Sequence, residues 1–149
     1  MPVGEICNRE VVIINKKEGV LDAARLMRDH HVGDVIVVEE KDTRVIPVGI
    51  LTDRDIVVEL IAKEVSLDSI LVEDVMSADL NSVREDMGIW ETIQCMRSKG
   101  IRRIVITGDK GQLIGILSSD DLIDLLSEEL MDLVKTFMRE QIREKETKE

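Results

Sequence analysis

Tyrosine is absent from this 149-residue chain, and Trp90 and Phe137 are its only other aromatic residues. A core so poor in aromatics has to be filled by Val, Ile, Leu and Met, which suits strands buried on both faces and the helices that cover them. Cysteine is as sparse: Cys7 and Cys95 stand alone with no CxxC spacing, so both thiols read as structural and not as redox or nucleophilic groups. No apolar run approaches the roughly 18 residues of a membrane span. Met1–Asn8 has neither the basic start nor the apolar segment of a secretory signal, and the expected location is cytoplasmic. Basic residues are the last deficit. The 20 Lys and Arg against 31 Asp and Glu leave a net charge of −11, which speaks against a nucleic-acid face and against adhesion to anionic membrane. What remains is 44% hydrophobic and 34% charged, the balance of a folded protein and not of a disordered one. This length fits one domain, or two small ones sharing a core.

The chain repeats itself. A shift of 69 residues (72 − 3) lays Val3 on Val72, Cys7 on Met76, Val20 on Ile89, Ala24 on Ile93, Met27 on Met96 and Val35–Val37 on Ile104–Ile106. The shift then drops to 66 (115 − 49), and Gly49-Ile50-Leu51 falls on Gly115-Ile116-Leu117. Within each copy Val11–Ile14 or Leu80–Val83 is a short extended segment, and Val20, Ala24 and Met27, like Ile89, Ile93 and Met96, recur at helical spacing. Two β-branched runs follow, joined by a polar turn (Gly108–Gly111 in the second copy), and a closing helix ends each copy at Ile56–Ala62 or Leu122–Leu126. The order β-α-β-β-α occurs twice. Ser66–Asp74 joins the copies without Gly or Pro, so the halves are expected to pack together and not to swing on a tether. The expected division is 1–65, 66–126 and a C-terminal helical extension over 127–149.

Each copy places the same kind of junction at its second hairpin strand: Gly49-Ile-Leu-Thr-Asp-Arg-Asp55 and Gly115-Ile-Leu-Ser-Ser-Asp-Asp121. Two readings stand side by side. Thr52 with Asp55, and Ser118 with Asp121, can form capping boxes that satisfy the free N–H groups of a helix start. Alternatively Asp55 and Asp121 accept hydrogen bonds from ribose hydroxyls, with Thr52 or Ser118 and nearby N–H groups holding sugar or phosphate. Gly49 and Gly115 would then let a flat base approach the backbone.

The doubled unit, its Gly-x-x-[Thr/Ser]-x-x-Asp motifs and its lead-ins Val3–Cys7 and Val72–Met76 resemble the cystathionine-β-synthase (CBS) domain pair, or Bateman module, over about residues 3–126. The resemblance implies an α/β fold of two β-α-β-β-α units packed as a pseudo-two-fold pair, followed by a C-terminal helix. It also implies adenosine-type ligands in clefts between the units: AMP, ADP or ATP, with S-adenosylmethionine second to them, and no required cofactor. The implied ligand-binding residues are Ile14, Gly49, Thr52, Arg54, Asp55, Arg102, Arg103, Ser118 and Asp121. In the family, phosphate over one motif is often met by basic residues from the other unit's helix-to-strand turn. That turn is Ile101-Arg102-Arg103 in the second copy and Val32-Gly33-Asp34 in the first. The Asp55 cleft, drawing on Arg54, Arg102 and Arg103, is therefore expected to carry phosphate, and the Asp121 cleft faces Gly33, Asp34 and Asp120. The plain alternative is that Arg102 and Arg103 form surface ion pairs.

His30 and His31 lack companions at ligand spacing and sit where a helix end favours histidine, and nothing in the spacing of Asp53, Asp55, Asp120 and Asp121 demands Mg²⁺. No metal site and no catalytic machinery are expected, for neither a Ser/His/Asp order nor a P-loop is visible. Beyond the repeat, Leu130, Leu133, Val134, Phe137 and Met138 form an apolar stripe at helical spacing. It is expected to cover the module's own core or to pack on a second copy, and the charged residues past Arg139 are expected to fray. The function expected is a free-standing regulatory module, not an enzyme, that binds an adenosine nucleotide and signals to an unidentified regulated protein as a homodimer. The alternative is a ligand-free scaffold or interaction module of the same fold.

Overall fold

The structure is a computed structural model describing residues 1–148. It contains two three-stranded sheets of identical topology. In the first, β1 (Ile13–Asn15) runs parallel to β2 (Asp34–Lys41), which pairs antiparallel with β3 (Arg44–Thr52). Helix α1 (Val20–His30) makes the crossover, and α2 (Asp53–Ile56) closes the unit, loosening into a π-type turn over Val57–Ile61. A short α3 (Val72–Val75) leads into the second unit. There β4 (Ser82–Arg84), α4 (Ile89–Lys99), β5 (Arg103–Thr107) and β6 (Leu113–Ser118) repeat the pattern before α5 (Ser119–Lys148). Even the bulge recurs, between Val37 and Val38 and between Ile106 and Thr107. The expected α/β pair of repeated units is the fold observed.

Both central strands are hidden on both sides, as their unbroken β-branched runs require. One face of each sheet packs beneath its own helices, with Val20, Ala23, Met27, Val35 and Leu51 in the first unit and Ile89, Met96, Ile104, Ile106 and Leu117 in the second. The opposite faces meet each other across a third cluster built on Ile36, Val38 and Val105. Both α1 and α4 end on a left-handed residue, Gly100 at φ 64° and His31 at φ 55°. The second histidine is thus a helix C-terminus.

The lead-ins cross over. Val3 is fully buried in the second unit's core and Val72 in the first unit's core, each the reverse of its place in the chain. Val3 N–H donates to Met87 O at 2.8 Å, and Val72 N–H donates to Glu18 O at 2.8 Å. Asn8 then exchanges two hydrogen bonds with Ile116, and Ser77 does the same with Ile50. Each unit therefore wears the other's first segment as a short extra edge, and the two halves are held by backbone as well as side chains.

The last helix departs from expectation. The closing helix of the second unit and the extension are one element of 30 residues, helical through Lys148. The reason is compositional: from Ser118 to Lys148 there is no Gly or Pro, and Leu, Met, Glu, Lys and Arg dominate. Nor does the apolar stripe cover the module's own core, for every residue from Leu126 to Lys148 is exposed.

Candidate functional site

Both repeated motifs stand where a β-strand turns into a helix N-terminus, and their local geometry is the same to within 0.1 Å. Thr52 N–H donates to Asp55 Oδ2 at 3.0 Å and Asp55 N–H to Thr52 Oγ1 at 3.1 Å. Ser118 N–H donates to Asp121 Oδ2 at 3.0 Å and Asp121 N–H to Ser118 Oγ at 3.1 Å. These are reciprocal capping boxes. Each uses one carboxylate oxygen and leaves Oδ1 for another donor. Each motif is also tied to its own unit's helix-to-strand turn, Asp53 N–H donating to Gly33 O at 2.9 Å and Ser119 N–H to Arg102 O at 2.8 Å.

Over the second motif lies an open cavity of about 370 Å³ whose walls come from both units. The first unit supplies Val11 and Val12 of the segment before β1, the turn His31–Asp34, and Ile36. The second supplies Ile116, Ser118, Asp120 and Asp121, and Asn8 of the crossing lead-in also lines it. As expected from the sequence, Asp121 faces Gly33 and Asp34. Arg103 lines this cavity too, although it was assigned to the Asp55 cleft. It opens β5, directly across the ladder from Ser118, and its guanidinium pairs with Asp34 of the other unit. Arg102 reaches Asp120 of its own motif at 3.5 Å, both side chains being exposed.

Asp34 and Arg103 are themselves repeat equivalents (69 apart), so their ion pair straddles the pseudo-two-fold axis at the edge of this cavity. Applying the repeat shifts to the remaining lining gives the equivalent positions around the first motif, among them Ser77, Asp79, Ile101, Arg102, Ile50, Thr52, Arg54 and Asp55. The polarity differs between the two. The Asp121 cavity sets the carboxylates Glu10, Asp34, Asp120 and Asp121 against the single guanidinium of Arg103. The equivalent positions around Asp55 carry Asp34, Asp55 and Asp79 with Arg54, Arg102 and Arg103, the guanidinium of Arg102 lying toward Asp120 and that of Arg103 on Asp34.

Three expected positions find other employment. Ile14 is buried in the first unit's core, so its side chain turns away from any cleft and only its backbone is offered. The space before Gly49 is filled by Met76 and Ser77, and that before Gly115 by Cys7 and Asn8. A Cβ at Gly49 would stand 2.7 Å from Met76 Sδ and from Ser77 O. These glycines admit the crossing lead-ins, and no base can enter on that side. Asn8 and Val12 are wall residues that sequence reasoning missed. The crossing itself had no sequence signal, but the lead-in's place beside each motif gives the walls by symmetry once it is seen. Burial holds the Cys7 thiol above its ordinary pKa, in keeping with an unreactive structural group. Among the described residues no cluster of three or more His, Cys, Asp or Glu is arranged to hold a metal ion. No helix among them is long and apolar enough to cross a membrane.

Fold and site together define a tandem α/β pair with a capped helix start in each unit and an inter-unit cavity over the second. The chain belongs to the CBS domain family, whose model matches residues 3–62 and 72–128. It is 37% identical over 123 residues to an uncharacterized protein of Methanopyrus kandleri, covering 83% of this chain and 61% of that protein. A conserved uncharacterized protein from Pyrococcus horikoshii, 27% identical, superposes with a TM-score of 0.68 over 83% of this chain and 90% of the other. A CBS domain protein from Pyrobaculum aerophilum, solved in complex with AMP, shares the fold with a TM-score of 0.70 at 22% identity, over 82% and 90% of the two chains.

Proposed function

We propose that this CBS pair is a regulatory, non-catalytic module that binds an adenosine nucleotide between its units and passes the bound state to a protein it regulates. The observation that carries the reading of an inter-unit ligand site, which the repeat relates to the Asp55 side proposed for the nucleotide, is the cavity of about 370 Å³ over Asp121, with walls from both units. That is within the range of small-molecule sites, roughly 300–1,000 Å³, and it opens onto a motif carboxylate with one oxygen to spare. The AMP held by the Pyrobaculum relative fits the same ligand class.

Charge assigns the phosphate. The repeat puts Arg54 and Arg102 at the positions around Asp55 where the Asp121 cavity has Asp120 and Gly33, so AMP, ADP or ATP is assigned to the Asp55 side. Thr52 and Arg54 hold sugar and phosphate there, and Arg102 and Arg103 complete the cradle. The Asp121 cavity, with Ser118 at its floor, suits a nucleoside of lower negative charge, such as S-adenosylmethionine.

Calorimetric titration of AMP, ADP, ATP, S-adenosylmethionine and adenosine into the wild type, Asp55→Ala and Asp121→Ala tests this. Asp55→Ala should abolish nucleotide binding while Asp121→Ala spares it; equal loss from both removes the asymmetry. The capping boxes favour a second reading, a ligand-free scaffold. Thermal melts decide between them, since ligand at a hundredfold its Kd adds about 2.7 kcal/mol and a scaffold melts unchanged.

A further inference from the structure

Two guanidinium groups at the seam between the units are engaged with carboxylates on the Asp121 side, and they are held very differently. Arg103 pairs with Asp34, whose side chain is only 14% exposed, so this pair is anchored. Arg102 reaches Asp120 at 3.5 Å with both side chains in water, 81% and 74% exposed. Such a pair contributes little and is readily given up for a better partner. A phosphate is a better partner, since it offers more charge and more acceptor oxygens than one carboxylate. Arg102 also stands between the two motifs. Its carbonyl accepts the Ser119 N–H at 2.8 Å, beside Asp120. The repeat shift of 69 (102 − 33) makes it the counterpart of Gly33, a wall residue of the Asp121 cavity, and so a position on the Asp55 side. Asp120 itself lines the Asp121 cavity. One guanidinium thus lies within the claim of a carboxylate at one site and of the phosphate assigned to the other.

We propose that Arg102 couples the two sites: phosphate on the Asp55 side draws its guanidinium off Asp120, and the uncovered carboxylate makes the Asp121 cavity a stronger site for a positively charged nucleoside. The coupling rests on the assignment of nucleotide to Asp55 made above. Once Arg102 has left, the carboxylates of Glu10, Asp34, Asp120 and Asp121 stand against Arg103 alone, and Arg103 is already bound to Asp34. Phosphate nucleotide and cationic nucleoside therefore help each other to bind. They do so by the same factor in either direction, because the coupling is a single free energy. A neutral nucleoside in the cavity gains little, having no charge for Asp120 to act on. A module wired this way reads its two ligands as a coincidence and not one by one.

The test titrates S-adenosylmethionine into the full chain by calorimetry, without ATP and with ATP at saturation. ATP should tighten S-adenosylmethionine about two- to fivefold, the scale of one exposed ion pair, and leave adenosine unchanged. Saturating S-adenosylmethionine should tighten ATP by the same factor. Salt should erase the effect, since near 1 M the screening length is only about 3 Å. Asp120→Asn should bind ATP more tightly than the wild type does, there being no carboxylate for Arg102 to leave, and should show no coupling. A coupling that survives Asp120→Asn is a field effect of the phosphate alone and overturns the role given to Arg102. Unchanged affinity for S-adenosylmethionine under ATP overturns the proposal as well. So does weaker affinity, the mark of two ligands competing for one site. Should the chain bind neither ATP nor AMP, the nucleotide reading itself is refuted and the coupling falls with it.

Discussion

Gly115→Ala asks why a glycine stands in the middle of a strand, where it is ordinarily a weakness. A Cβ there would lie 2.6 Å from Asn8 O and 2.7 Å from Cys7 Sγ. The thiol could rotate, but the carbonyl is backbone, so the lead-in must move outward. Doing so loosens the two 2.9 Å hydrogen bonds between Asn8 and Ile116, worth about 1 kcal/mol each. Overpacking adds about 1–3 kcal/mol, and the stiffer unfolded chain returns about 0.5–1 kcal/mol. The balance is a loss of about 2–4 kcal/mol, or a fall in Tm on the order of 10 °C for a chain of this length. Urea unfolding measures the first quantity and a thermal melt the second. Thiol labelling gives a third readout, since displacing the lead-in should speed modification of Cys7. An alanine variant as stable as the wild type, with Cys7 labelled no faster, refutes the account. Were stability unchanged and nucleotide affinity lost, the glycine would be serving a ligand instead.

Val72→Ala should destabilise the first unit by about 1–3 kcal/mol, since its fully buried side chain fills that unit's core; hydrogen exchange should locate the loss in α1 and β2, not in the second unit. Arg102→Ala should weaken ATP more than adenosine in calorimetry, the guanidinium acting on phosphate and not on sugar. Lys16 and Glu39 pair at 2.6 Å, and the hydrogen bond and charge of Lys16 lower the Glu39 pKa. Because the folded pKa lies below the unfolded one, the stabilisation is present above the unfolded value and lost as pH falls through the folded one. Glu39→Gln should therefore flatten part of the acid limb of stability against pH, and a variant with an unchanged limb would show the pair to be idle.

Most of the architecture was legible because a repeat constrains itself. Val35–Val37 and Ile104–Ile106 had to do the same thing, and their β-branched, doubly apolar character admitted only a central strand. The capping geometry was legible as well, since Thr52-x-x-Asp55 states its own hydrogen bonds. The crossing of Val3 and Val72 was not legible. An apolar lead-in shows that it will be buried, but not in which of two similar cores, because that choice is set by the lengths of the links. The same gap hid the reason for Gly49 and Gly115, whose close neighbours are distant in the chain. Arg103 was assigned to one cleft from turn position alone, while its pairing opposite Ser118 depends on strand register. The length of α5 is legible too, in a stretch from Ser118 to Lys148 without Gly or Pro, because the end of a repeat need not be the end of a helix.

The exchange of lead-ins also orders the birth of the fold. On a ribosome the first half cannot close its core until the link that carries Val72 has emerged, and the opening residues must wait longer still for the second half's sheet to receive them. Neither half can be excised cleanly: one cut free would keep an empty slot on its sheet and a loose apolar strip on its own end. The ready remedy is to lend that strip to a neighbour, so isolated halves should link arms into chains or closed rings.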